Sequence, residues 1–262
     1  MIFLEGVIMN IRVLILTIFF ISINFLYCRE LITVIVASYP PFSIVEDEID
    51  DKSHVTGINV DVLKLFNCKY KDYEIIFNVY PPARFAKMIN DERHNIDIFF
   101  DSPFFVDKGL TRFFDYAGKI VTTEDKVITY KDNTFLYEGP EDLYNKRVGI
   151  ILGYSYGMLD SLFSENLIIS DPVITHTQNI RKLMYNRIDA YLGNIHVSPY
   201  FMIEEGLSPN DFIFSEVNLF SFDYGIFVNR NKKELLIKLK EFIKEISESG
   251  ELRTIINNYI IN

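Results

Sequence analysis

The hydrophobic positions of this chain fall into short unbroken runs separated by amphipathic stretches. Residues 31–37, LITVIVA, are continuously apolar and rich in β-branched side chains, the pattern of a strand buried on both faces. Ser38-Tyr39-Pro40-Pro41-Phe42 ends that run at two prolines, which cannot donate to a ladder. Acidic and polar residues 46–53 read as an exposed turn. From Gly57 the spacing of Ile58, Val62, Leu65 and Phe66 predicts a helix with one apolar face. Residues 73–79 read as a second strand, 81–89 as a helix that tolerates proline in its first turn, and 96–100 as a third strand. Strand and helix alternate, which argues for a parallel sheet.

A second block repeats the alternation. Residues 126–130 are strand-like, and 146–152 (KRVGIIL) form a strand running into Gly153. Helices are predicted over 155–163 and 177–186, a strand over 188–192, and a further helix over 199–205. A last strand at 222–228 precedes two charged amphipathic helices, 232–247 and 251–260, with Gly250 as the stop between them. No tandem repeat or low-complexity tract interrupts the pattern.

Composition narrows the class. At 262 residues, 49% hydrophobic and 24% charged, the chain has core material for one large domain or two lobes. Its net charge of -10 and the lack of any Lys/Arg stripe exclude nucleic acid as the expected partner. Residues 13–27 are uncharged and follow Arg12, which reads as a secretory signal too short for a spanning helix. Glu5 is out of place in a signal's basic start, so Met9 is the better initiator. Residues 1–28 are assigned to the signal peptide, which makes the mature protein periplasmic or extracytoplasmic. Cys28 stands where bacterial lipoproteins are acylated, although Tyr27 suits the processing enzyme poorly. Cys68 is then a lone thiol without a disulfide framework, and four histidines without ligand spacing give no metal site. No phosphate-loop or dinucleotide glycine pattern occurs, so no cofactor is expected.

Six segments in order resemble the extracellular solute-binding proteins of ABC transporters, family 3, the polar amino-acid binders of the type 2 periplasmic binding fold. They are Tyr39-Pro40-Pro41-Phe42, Gly57-Ile58-Asn59-Val60-Asp61, Asn95-Ile96-Asp97, Glu141-Asp142-Leu143 through Gly149, Arg187-Ile188-Asp189-Ala190 and Tyr224-Gly225-Ile226. The resemblance implies an α/β fold of two lobes, each a mixed sheet flanked by helices, joined by two crossing strands. Lobe I would take 29–121 and 222–262, and lobe II 122–221. A small polar ligand would sit in the cleft between them, closed by hinge motion.

The candidate ligand-binding residues follow from chain position and from this resemblance. Tyr39 and Phe42 leave the carboxyl end of the first strand, the edge where open α/β sheets bind ligands, and in the family such aromatics stack on the ligand. Gly153-Tyr154-Ser155-Tyr156-Gly157 spells a hydrolase elbow, but only His176 and His196 follow it and no glycine-rich oxyanion segment precedes it. Matched to the family, Ser155 and Tyr156 instead belong to a loop whose N–H groups and hydroxyl receive a ligand carboxylate. The family's carboxylate-binding Arg would fall on Gly109, so an insertion of about three residues is needed to bring in Arg112. Arg84 is its competitor. Asp101 and Ser102 would face the cleft or cap the next helix. Asn194 stands where α-amino-acid binders carry the Asp that pairs with the ammonium, so a standard amino acid is no longer assured as ligand.

The expected function is capture of a small polar solute, an amino acid or a relative, for ABC-transporter uptake by its permease subunits. The expected protein is a monomer that performs no chemistry. Two alternatives stand: an enzyme on the same fold resembling cyclohexadienyl dehydratases, for which Asp101 is the tempting proton-transferring group, and a sensing module for a membrane receptor.

Overall fold

The computed structural model describes residues 29–46, 54–89, 95–105 and 112–260. The signal segment, Cys28, most of the acidic turn after Glu46 and the position Gly109 lie outside the described residues. In chain order the elements are β1 (Glu30–Val36), β2 (Ile44–Glu46), β3 (His54–Thr56), α1 (Ile58–Lys69), β4 (Tyr73–Val79), α2 (Pro82–Ile89) and β5 (Ile98–Asp101). There follow β6 (Phe114–Tyr130), β7 (Arg147–Ile151), α3 (Leu159–Ser164), β8 (Ile169–Val173), α4 (His176–Met184), β9 (Ala190–Asn194) and α5 (Val197–Glu204). The chain closes with β10 (Phe212–Phe214), β11 (Phe220–Asn229), α6 (Lys233–Ser249) and α7 (Glu251–Asn257).

The strands hydrogen-bond in the order β4-β1-β5-β11-β6-β9-β7-β8, with β10 beside β6 and a separate β2–β3 ribbon. The two expected mixed sheets are the two ends of this path. They are continuous because β6, 17 residues long, pairs β11 along its first part and β9 near its end. This is the type 2 periplasmic binding fold, with β6 and β11 as the crossing strands. The β-branched run of β1 pairs in parallel with β4 and β5 and is covered on both faces, as its unbroken hydrophobicity requires. At the other edge β8 contains Pro172, which an edge strand tolerates.

Alternating side chains divide the core. Val34, Ile98 and Ile226 pack with Phe66, Leu239 and Phe242, under α1 and α6. Their strand neighbours Ile35, Phe99 and Phe227 point the other way, into a cluster with Ile89 and Phe114. At the far end Val127 and Leu192 pack with Leu143, Val148 and Leu159, while Ile128 and Tyr191 pack with Ile180, Leu183 and Met202. Period-two alternation thus places one cluster on each face at each end of the sheet. In α6, Leu235, Leu239, Phe242, Ile243 and Ile246 form the buried stripe, and the helix stops at Gly250 with φ 84°, where a left-handed residue is wanted.

Two helices begin elsewhere than periodicity predicts. The helix at 155–163 starts only at Leu159, because Gly157 adopts φ 56° and breaks the first turn. The helix predicted from 177 starts at His176: Thr175 caps it, accepting from Gln178 N–H while Gln178 accepts from Thr175 N–H. Among the described residues no helix is long and apolar enough to cross a membrane.

Candidate functional site

The Tyr39–Ser43 turn is built by the local sequence. Its Pro40–Pro41 peptide is cis, and Phe42 and Ser43 N–H groups donate to Tyr39 C=O (2.9 Å each). The turn's own carbonyls then receive the first amides of α1: Ile58 N–H donates to Pro41 and Asn59 N–H to Phe42. Two donors that a helix start leaves unpaired are satisfied this way. Gly57 makes the approach possible, since at φ 111° a Cβ there would lie 2.7 Å from both of those carbonyl oxygens. Asn59 is fully buried, and its Nδ2 donates to Ser43 Oγ and Tyr224 Oη, both at 2.9 Å. Tyr39 is thereby fixed at the end of β1, and Tyr224 beside it on β11.

These aromatics wall a cavity of about 630 Å³ between the two ends of the sheet. Tyr39 packs against Tyr224 (ring centroids 5.8 Å) on its own side and against Tyr154 (6.3 Å) and His176 (6.5 Å) on the other. Phe42 is fully buried behind this wall, stacked on Tyr39 at 5.5 Å and 4.8 Å from Tyr224. It supports the wall and does not line the cavity. The two sides meet where Gly153, at φ 95°, touches the start of α2. A Cβ on Gly153 would lie 2.6 Å from Ala83 Cα.

The polar side chains reach the cavity from both sides. Asp101 ends β5 and lines it, accepting one hydrogen bond from Ser102 N–H (2.7 Å). Burial pushes its pKa up to about 7. Ser102 is buried beneath, where its Oγ accepts from Phe104 N–H (3.1 Å); it caps the turn and does not line the cavity. Asn194, at the end of β9, lines the cavity and is satisfied on all sides. Its Oδ1 accepts from Thr123 Oγ1 and His196 N–H, and its Nδ2 donates to Thr123 Oγ1 and to Asp125 Oδ1 (2.9 Å). Asp125 lies directly opposite on β6. Burial raises its pKa to about 6 against the lowering effect of that Asn194 bond.

Ser155 and Tyr156 also line the cavity, with Ser155 Oγ and Tyr156 N–H engaged by Asp160. Asp160 accepts from Ser155 Oγ (3.1 Å) and from Tyr156 N–H on both carboxylate oxygens (3.1 Å each). Tyr156 Oη accepts from Ile151 N–H (2.7 Å). The expected cradle for a ligand carboxylate is thus occupied in part by a carboxylate of the chain itself, and Ser155 Oγ has an aspartate rather than a histidine as its partner. Arg112 is exposed two residues before β6 and does not line the cavity. Arg84 is exposed over the Tyr80 ring at 4.8 Å. Among the described residues no Lys or Arg lines the cavity. His176 does, as a buried ring stacked on Phe201 (5.0 Å) and hydrogen-bonded to Tyr191 and Tyr154. Burial lowers its pKa to about 3, so it is neutral at pH 7.

Sequence reasoning missed Asp125, Asp160, Tyr154, His176 and Tyr224 as wall residues. Asp160 had a readable signal, an acid four positions beyond Tyr156 where a short helix begins. Asp125 had none, because Glu124-Asp125-Lys126 reads as a solvated edge until β9 pairs with it.

A mixed sheet with two crossing strands and a cavity between its ends defines a two-lobed ligand-binding protein. The chain belongs to the bacterial extracellular solute-binding proteins, family 3, whose sequence profile matches residues 31–262. No curated protein sequence matches the chain. Among solved structures it is similar to an ABC uptake transporter substrate-binding protein from Streptococcus pneumoniae with bound histidine, with TM-score 0.71 and 16% identity over 87% of this chain and 92% of that one. An ancestral arginine-binding protein bound to arginine gives 0.70 at 18% identity over 88% and 99%. A histidine kinase sensor domain gives 0.70 at 16% identity over 89% and 96%. At these identities the likeness shows the fold.

Proposed function

We propose that this chain is an extracytoplasmic solute-binding protein that holds one small polar ligand between two lobes and hands it to an ABC permease without chemical change. Lobe I is 29–121 with 222–262, and lobe II is 122–221. Both boundaries fall within the crossing strands β6 and β11, where a hinge needs only a few residues to change their dihedral angles. Export through residues 1–28, with Cys28 as an anchor in the lipidated alternative, places the protein where such a permease is fed. The observation that carries the reading is the cavity of about 630 Å³, walled from both ends of the sheet, which approach each other at Gly153 and Ala83. That volume suits a small molecule held in a cleft between the lobes.

A screen of thermal stability against amino acids, amines and small carboxylates tests it. A ligand at 100 times its dissociation constant raises stability by about 2.7 kcal/mol, and the recovered ligand should be unchanged. One observation favours a second reading. Asp101 at about 7 and Asp125 at about 6 lie in the range useful to an acid–base catalyst. Turnover of the bound compound would select the enzyme. A dehydratase of cyclohexadienyl acids, however, handles an anionic substrate, and the described walls offer it no cationic side chain.

A further inference from the structure

We infer that the cavity takes an organic cation lacking a carboxylate, an amine whose charged group is received by Asp101 and Asp125 and whose body is held by the aromatic walls. The inference rests on the solute-binding reading and names the ligand class of that site.

A zwitterionic amino acid needs two opposed receptors. For its ammonium the cavity offers Asp101 and Asp125, and neither has an ion-pair partner among the described residues. Each accepts a single hydrogen bond, from Ser102 N–H and Asn194 Nδ2 respectively. A buried carboxylate without a counter-charge is costly to hold ionised, and a bound cation supplies what the fold omits. For a ligand carboxylate the cavity offers far less. No described Lys or Arg lines it, and the loop donors Tyr156 N–H and Ser155 Oγ already serve Asp160. An incoming anion would displace that aspartate or lie beside three acids. The remaining walls are aliphatic and aromatic, with Tyr39, Tyr154, Tyr224, Phe100 and Phe222 among them, and aromatic rings attract cations to their faces through their quadrupoles.

The change from a charged to a neutral side chain at 194 fits the same scheme. Asn194 does not discard the acidic function; it orients Asp125 across the β6–β9 pair. The carboxylate is carried by the neighbouring strand, and a second one, Asp101, enters from β5.

Calorimetric titration of the purified protein with matched pairs decides the matter: arginine and agmatine, lysine and cadaverine, histidine and histamine. The amine of at least one pair should bind at least about tenfold more tightly than its parent amino acid. Asp101→Asn and Asp125→Asn should each weaken that amine by at least about tenfold. Melting temperatures of the ligand-free variants should equal or exceed that of the parent, which separates lost binding from lost folding. Amino acids binding more tightly than their amines would overturn the cation assignment and leave the solute-binding reading standing. Amine binding indifferent to both Asn variants would overturn the assignment of the two carboxylates. Binding of none of these compounds, nor of any small carboxylate, would bring down both readings together.

Discussion

The two sides of the cavity treat their aspartates differently. In the loop between β7 and α3, Asp160 is exposed and accepts three hydrogen bonds from Ser155 and Tyr156, so its charge is used within the chain to fix the loop. At the end of β5 and within β6 opposite the end of β9, Asp101 and Asp125 are drawn into the sheet's crossing region and accept one bond each among the described residues. Burial raises both pKa values, the response of a carboxylate that has lost water and gained no cation. The same residue type is therefore a structural staple on one side and, on the other, a carboxylate with no ion-pair partner among the described residues. What separates them is the number of donors the local backbone can aim at each carboxylate. A turn at a helix start has several such donors; a paired strand, whose N–H groups serve its neighbours, has few.

The largest test removes the contact that brings the two sides together. Gly153→Val places a Cβ against Ala83 at a positive φ, and ligand binding should weaken by about 3 kcal/mol, near a hundredfold, by calorimetry. Unchanged affinity would mean that ligand is held without closure at Gly153. Next comes pH. Asp101 and Asp125 bind protons more tightly folded than unfolded between about 4 and about 7, so stability of the ligand-free protein falls as pH rises through that window and levels off above it. Asp101's displacement from 3.8 to about 7 corresponds to about 4 kcal/mol in a dry site, and about 2 kcal/mol with water in the cavity. Denaturant titrations at about pH 4 and about pH 7.5, on either side of that window, measure it, and Asp101→Asn should flatten the slope.

Asn59→Ala acts on the first wall alone. It strips the donor from Ser43 Oγ and Tyr224 Oη, and the unfolding free energy should fall by about 1.5 kcal/mol with Tyr39 and Tyr224 loosened. A loss confined to stability, with ligand affinity intact, would show that the turn is held without Asn59. The smallest effect is expected at Asp160→Ala. Freeing Tyr156 N–H and Ser155 Oγ should weaken the loop by about 1 kcal/mol while improving binding of carboxylate-bearing ligands relative to amines. Should that preference stay put, Asp160 is not what excludes them, and the contrast between the two sides loses its functional meaning.

Much of the architecture was readable along the chain. The unbroken run of β1, the alternation through β4, α2 and β5, and the stripe of α6 with its Gly250 stop depend on local periodicity, and each element appears within a few residues of its expected place. The start of β6 was not readable, because Phe114–Asp125 mixes aromatic, charged and threonine residues whose two faces meet different partners, β11 and α6 on the way to β9. The short β8 was missed because Pro172 argues against a strand anywhere but at an edge, and edge position is a property of the assembled sheet.

The candidate site divides along the same line. Tyr39, Asp101, Ser155, Tyr156 and Asn194 stand at ends of elements, where sequence motif alone determines that a side chain emerges toward the cleft. Hydrophobic patterning and these motifs reflect contacts near in sequence, so the chain by itself determined the two-lobed α/β class and the rim of its cavity. Only the tertiary structure decided that Phe42 and Ser102 support from behind, that Arg112 stays exposed, that Asp160 engages Ser155 Oγ and Tyr156 N–H, and that Asp125 comes to stand beside Asn194 from 69 residues away. A cavity's charge balance is the sum over groups that meet only when the sheet closes, and no local pattern encodes that sum.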